Sequence, residues 1–122
     1  MSRKRFDIAM QQQELFERDC HVCICGNSIY AHGTPQLAHR IPQRKHLLAK
    51  YGEAIIHHPM NMASTCSLEC NASVSIANDL GAILELLEGM YEYEVSNGNY
   101  VLADEILSHM EDLRKKLGVP IK

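Results

Sequence analysis

The chain contains no tryptophan and only two phenylalanines and five tyrosines among 122 residues, so any core it builds must rest on aliphatic side chains. It also lacks a long apolar run. A helix crossing a bilayer needs roughly 20 consecutive apolar residues, and no window approaches that, so no membrane role is expected. The segment from Met1 to Gln13 is polar and basic and lacks the apolar stretch of a secretory signal. Five cysteines in such a chain are expected to be reduced thiols in a cytoplasm, not a secreted disulfide framework. No internal repeat or low-complexity tract appears, and 46% hydrophobic composition suffices for one modest domain that a metal staple would help to hold.

Formal net charge is −3, which speaks against wholesale coating of nucleic acid, but its two halves differ in sign. Residues 1–50 carry eight Lys and Arg against four Asp and Glu, a balance of +4, which leaves −7 for the remainder. A phosphate backbone would therefore meet the N-terminal half, and the acidic half would face water or another protein.

Apolar spacing predicts a helix over residues 4–18, leading into a Cys-, Gly- and Asn-rich stretch from Cys20 to Gly33 that breaks helical periodicity. A short β-hairpin is expected around Leu37 to Ile41, closed by Pro42, then a short helix from Arg44 to Tyr51 ended by Gly52. Ala54-Ile55-Ile56 suggests a brief strand. A long helix is expected from about Ala72 to Tyr93, because Leu80, Ile83, Leu84, Leu87 and Met90 recur on one face. Ser96-Asn97-Gly98-Asn99 signals a turn, after which Leu102, Ile106, Met110, Leu113 and Leu117 form a second stripe ending at Gly118. The expected architecture is α+β: an N-terminal helix (1–19), a zinc-stapled core (20–78) and a C-terminal helical hairpin (79–122). The hairpin stripes are expected to pack on each other, with a homodimer seam or a partner-protein surface as the alternative.

Two short cysteine spacings separated by some tens of residues match the tetrahedral appetite of a structural zinc ion. Cys66 and Cys70 form the second pair. The first is ambiguous among Cys20, Cys23 and Cys25: Cys20 and Cys23 have the usual two-residue gap, whereas Cys25 precedes Gly26, so four of the five thiols are expected to bind zinc.

Between these clusters lie Gln36-Leu37-Ala38-His39-Arg40-Ile41-Pro42 and His58-Pro59-Met60-Asn61-Met62, and Asn71 follows Cys70 directly. Over about residues 18–78 this ordered set resembles the HNH, or His-Me finger (ββα-metal), endonucleases, in a variant whose third position is asparagine. The resemblance implies a metal-dependent endonuclease hydrolysing DNA phosphodiesters. His39 would be the base that deprotonates water, Asn61 an orienting residue, and Asn71 a ligand of catalytic Mg²⁺ or Mn²⁺. The chain departs from the pattern at Ala38, where many members carry Asp or His as a second metal ligand. A ligand from elsewhere, such as His57 or His58, is one remedy, and a zinc module that binds nucleic acid or protein without cleaving it is the rival reading. Arg40, Arg44 and Lys45 are the expected phosphate contacts, and Asn71 can equally serve as a helix cap.

Overall fold

The computed structural model describes residues 8–33 and 35–118, and its secondary structure is mostly helical, with one small sheet. Helix α1 spans Ile8–Arg18, so the first four residues of the expected 4–18 helix lie outside the described part. It ends without a glycine. Cys20 and His21 both take the left-handed conformation (φ 57° and 59°), and the His21 amide donates back to the Phe16 carbonyl at 2.8 Å. Left-handed φ at two successive side-chain-bearing residues costs on the order of 1 kcal/mol each, which this terminating hydrogen bond offsets in part.

Strands β1 (Gln36–His39) and β2 (Met62–Thr65) pair antiparallel, with Gln36 opposite Thr65 and His39 opposite Met62. The expected local hairpin at Leu37 to Ile41 does not form; β1 finds its partner more than twenty residues away, beyond helices α2 (Lys45–Tyr51) and α3 (Glu53–Ile56) and a 3₁₀ turn at Pro59–Asn61. Ala54-Ile55-Ile56 lies in α3 rather than in a strand. Three adjacent apolar residues carry no period by which helix and strand can be told apart, and here Ile55 and Ile56 are both fully buried in the helical conformation. Gly52, at φ 86°, lets α2 run directly into α3.

After β2 comes α4 (Leu68–Ser73), capped by the Ser67 hydroxyl, which accepts from the Cys70 amide at 3.2 Å. The single helix expected from Ala72 to Tyr93 is two. The chain leaves helix at Val74 and re-enters at α5 (Leu80–Ser96), where the Asp79 carboxylate accepts from the Ala82 amide at 3.0 Å. The break follows local chemistry: Val74 and Ile76 are β-branched, and Asp79 is a strong N-cap that starts the helix afresh. Asn97 to Asn99 turn the chain into α6 (Tyr100–Leu117), stopped by Gly118 in the left-handed conformation. Helices α5 and α6 form the expected antiparallel hairpin, with Arg114 donating to Glu88 across it at 3.1 Å.

Two compact units result, each discontinuous in sequence. One comprises the described part of Met1–Arg40 together with Met62–Ser75; the other comprises Ile41–Asn61 and the described part of Ile76–Lys122. The segment expected as one core, residues 20–78, thus contributes to both. The second unit holds the larger core, including Tyr51, Ile55, Ile56, Ile83, Leu87, Met90, Ile106 and Leu113, all almost fully buried. The first is small: Phe16, Cys23, Ile29 and Cys66, with Leu37 and Cys70 packed against them. Among the described residues, no helix is long and apolar enough to cross a membrane.

Candidate metal centre and the strand–strand–helix site

Four sulfurs converge in the first unit. Those of Cys23, Cys25, Cys66 and Cys70 all lie within 4.8 Å of one another, with Cys25 to Cys66 at 3.8 Å and Cys66 to Cys70 at 3.9 Å. A tetrahedral ion with metal–sulfur bonds of about 2.3 Å requires sulfur separations of about 3.8 Å, so these thiols are positioned to hold a metal ion. The ambiguity of the first pair is resolved in favour of Cys23 and Cys25. Cys20 is exposed and outside the cluster, because the left-handed turn at Cys20 and His21 separates it from the loop that follows.

That loop is held by its own backbone. The Cys23 amide donates to the Asn27 carbonyl at 2.7 Å, the Gly26 amide to the Cys23 carbonyl at 2.8 Å, and the Ile24 amide to Ser64 in β2 at 3.2 Å. Asp19 secures the other side, accepting from the Ser64 hydroxyl at 2.6 Å and from Arg18, which also reaches the Met62 carbonyl. Burial alone would raise the Asp19 carboxyl, but the hydrogen bonds from Arg18 and Ser64 outweigh it and hold the group below its ordinary value.

Without a cation the Cys23 and Cys66 thiols do not ionise alike. Burial pushes the Cys66 thiol up to about 12, with the adjacent sulfurs of Cys23, Cys25 and Cys70 adding to the shift. Burial raises Cys23 as well, yet hydrogen bonds from the backbone and side chains of Cys25 and Cys66 prevail and bring it to about 7. Cys23 therefore ionises well ahead of Cys66, and a bound cation would displace thiol protons.

The three residues of the expected catalytic set are positioned as follows. His39 is the last residue of β1 and half-buried. Asn71 lies in α4, also half-buried, and its amide donates to the Gln36 side-chain oxygen at 2.8 Å. Gln36 stands three residues before His39, about 10 Å away along an extended strand. Alternation gives Gln36 and Ala38 one face of β1 and Leu37 and His39 the other. Ala38 is 1% exposed, so the position that carries a metal-binding side chain in the resembled family is a buried methyl here.

Asn61, in the second unit, is fully buried. Its side-chain oxygen accepts from the Ile41 amide at 2.8 Å, and its nitrogen donates to the carbonyls of Ile41 at 3.0 Å and Ile56 at 2.8 Å. It thus fixes the backbone two residues beyond His39. His58, weighed above as a metal ligand, is unsuited to that role because both ring nitrogens are engaged. One accepts from the Met60 amide at 3.1 Å, which requires the other to carry the proton, and that one faces Glu94 at 2.6 Å. Burial lowers the His58 pKa, although Glu94 opposes the shift. His57 is half-buried, Arg40 half-buried, and Arg44 and Lys45 are exposed at the start of α2.

Gln36 and Glu94 were not among the sequence candidates. Glu94 had a legible signal, since it continues the Ile83, Leu87, Met90 face of α5 and an acidic residue there needs a buried partner. Gln36 had none beyond its place on the strand face shared with Ala38. No family model matches the chain, and no curated protein or solved structure matches it significantly.

Proposed function

We propose that this protein is an HNH-type, metal-dependent endonuclease that hydrolyses DNA phosphodiester bonds, with zinc in the cysteine cluster holding the finger in shape. The observation that carries the reading is the order strand, strand, helix: His39 ends β1, β2 pairs with it, and Asn71 lies on α4 directly after Cys70. Zinc suits the cluster because four thiolates at these separations satisfy a soft, tetrahedral ion. Asn71 offers a carboxamide oxygen, a hard donor of the kind Mg²⁺ or Mn²⁺ accepts alongside retained waters. When bound, that ion supplies charge neutralisation at the departing oxygen.

The chain's own residues would do the rest. His39 draws a proton from the attacking water, the general-base role that an imidazole serves. Asn61 keeps the backbone after His39 from shifting, since it saturates both polar groups of Ile41. Arg40, Arg44 and Lys45 are the proposed phosphate contacts.

Plasmid nicking in Mg²⁺ or Mn²⁺ tests the proposal. His39→Ala should slow it by about 10²- to 10⁴-fold, the usual worth of a positioned base. Nicking at the wild-type rate by this variant would remove His39 from the mechanism. The buried methyl of Ala38 favours a second reading, a zinc module that binds nucleic acid or protein without cutting it, and wild-type protein that binds duplex DNA but never nicks it would establish that one.

A further inference from the structure

The cysteine loop displays apolar side chains that the core does not use. Cys23 is buried with its sulfur in the thiol cluster, and its neighbours Val22 and Ile24 are left 42% and 52% exposed. The Ile24 amide donates to the Ser64 carbonyl at 3.2 Å, so the loop is docked on β2 and these side chains are held in place. Between loop and strand lies an open cavity of about 290 Å³, with Val22, Ile24 and Ala63 as its apolar lining and Arg18, Asp19 and Ser64 as its polar one. All six residues belong to one compact unit. We propose that this cavity takes an unpaired nucleobase stacked on the Arg18 guanidinium, and that the DNA substrate therefore carries a single-stranded stretch; the substrate assignment rests on the nuclease reading above, the binding site does not.

Size, shape and charge select a base as the occupant. The volume is at the lower end for ligand sites and suits one planar ring system. Arg18 is fixed: its Nε and Nη2 donate to the Asp19 carboxylate at 2.8 and 2.9 Å, and Nη2 donates also to the Met62 carbonyl at 3.0 Å. Guanidinium hydrogen bonds lie in the plane of the group, so Arg18 offers an occupant a rigid, flat, cationic face, a surface on which bases stack. An aliphatic side chain from a protein partner would fill the apolar lining but make no use of that face. The Arg18 side chain is 41% exposed and stands in the half of the chain with a balance of +4, which draws the phosphates on either side of a base. Asp19, the one acid in the lining, is engaged by Arg18 and by the Ser64 hydroxyl. Met62, whose carbonyl Arg18 holds, pairs with His39 across the sheet. With strands about 4.8 Å apart, the guanidinium lies within roughly 10 Å of the His39 backbone, close enough for both to meet one DNA strand.

The test reads binding apart from cleavage. Fluorescence anisotropy on zinc-loaded, full-length His39→Ala protein compares a short labelled DNA single strand, the same strand with abasic sugars throughout, and the duplex. The intact single strand should bind about 5- to 100-fold more tightly than the abasic strand, the worth of stacking one base, and more tightly than the duplex. Ile24→Ser, at an exposed position, should remove most of that preference, and Arg18→Lys, which keeps the charge without the plane, should do the same. Zinc content and thermal melts show that each variant is folded, and Ile24→Ser carries the test if Arg18→Lys is unstable. Equal affinity for intact and abasic strands means that phosphates alone are held, and the inference falls. An unchanged preference in folded Ile24→Ser also overturns it and leaves the cavity to a protein side chain. Failure of the nuclease reading looks different: base-dependent binding persists while protein with His39 intact, supplied with Mg²⁺ or Mn²⁺, cuts neither single strand nor duplex.

Discussion

The two units are stabilised in different ways. The unit built from Ile41–Asn61 and the α5–α6 hairpin encloses thirteen buried residues in one continuous apolar cluster, whereas the unit carrying the thiols has a cluster of four, two of them cysteines, with Leu15, Ala38 and Met62 buried outside it. At about 25 cal/mol per Å² of apolar surface, a core this small offsets less of the cost of ordering its unit than the larger cluster does. Four thiols positioned to hold a metal ion offer that unit a second source of stability, of the kind structural zinc gives other small domains. The contrast teaches that the two units draw on different means: the larger rests on apolar packing, and the unit bearing His39 and Asn71 has a small core beside a thiol cluster positioned to hold a metal ion.

The strongest way to break that contrast is to remove a thiol. Cys66→Ser should abolish stoichiometric zinc and lose most of the roughly 10 kcal/mol or more that structural zinc contributes, so that backbone NMR signals of β1, β2 and α4 collapse while those of α5 and α6 stay dispersed. Cys20→Ser should leave zinc content at wild type. If both variants behave alike, the assignment of Cys20 as the spare thiol is wrong.

Next comes the apolar unit. Leu87→Ala removes a fully buried side chain from α5 and should cost about 2–5 kcal/mol in urea unfolding of the hairpin while leaving zinc content intact. Loss of zinc from this variant would mean that the two units are not stabilised independently.

Asn61→Ala is expected to lie below that, at about 1–3 kcal/mol, because it leaves the buried polar groups of Ile41 and Ile56 without their partner. Since Ile41 follows His39 closely, nicking should fall along with stability. Full activity in a destabilised Asn61→Ala protein would confine this residue to a purely structural role.

The smallest effect should come from pH. Burial holds His58 below the ordinary imidazole value, so the unfolded chain takes up its proton more readily than the folded one. Stability from this group is therefore complete above about pH 6.5 and declines as pH falls below it. Urea midpoints measured from pH 7 down to 5 should drop, and His58→Gln should flatten that dependence. A wild-type midpoint that rises toward acid would contradict the neutral, Met60-bound ring.

Much of the helical architecture was legible from spacing. The α5 and α6 stripes, the turn at Asn97 to Asn99, and the stops at Gly52 and Gly118 are local signals, written within a few residues of where they act. The break between α4 and α5 was local too, at Asp79, but the apolar stripe running on from Leu80 obscured it. The strand partner of β1 was not legible, because four residues of strand carry no address and Met62–Thr65 is chosen by tertiary pairing.

The same division runs through the candidate site. Sequence alone determined which side chains are capable of chemistry: paired thiols for a soft ion, an imidazole at His39, carboxamides at Asn61 and Asn71, each readable because donor type and order along the chain are properties of residues. Tertiary structure decided which of them meet. It set Cys20 aside, bound Asn61 to Ile41, committed His58 to Glu94 and joined Asn71 to Gln36. Convergence of atoms from distant segments depends on strand pairing and on which faces are buried, and neither is encoded in the short-range pattern of the chain.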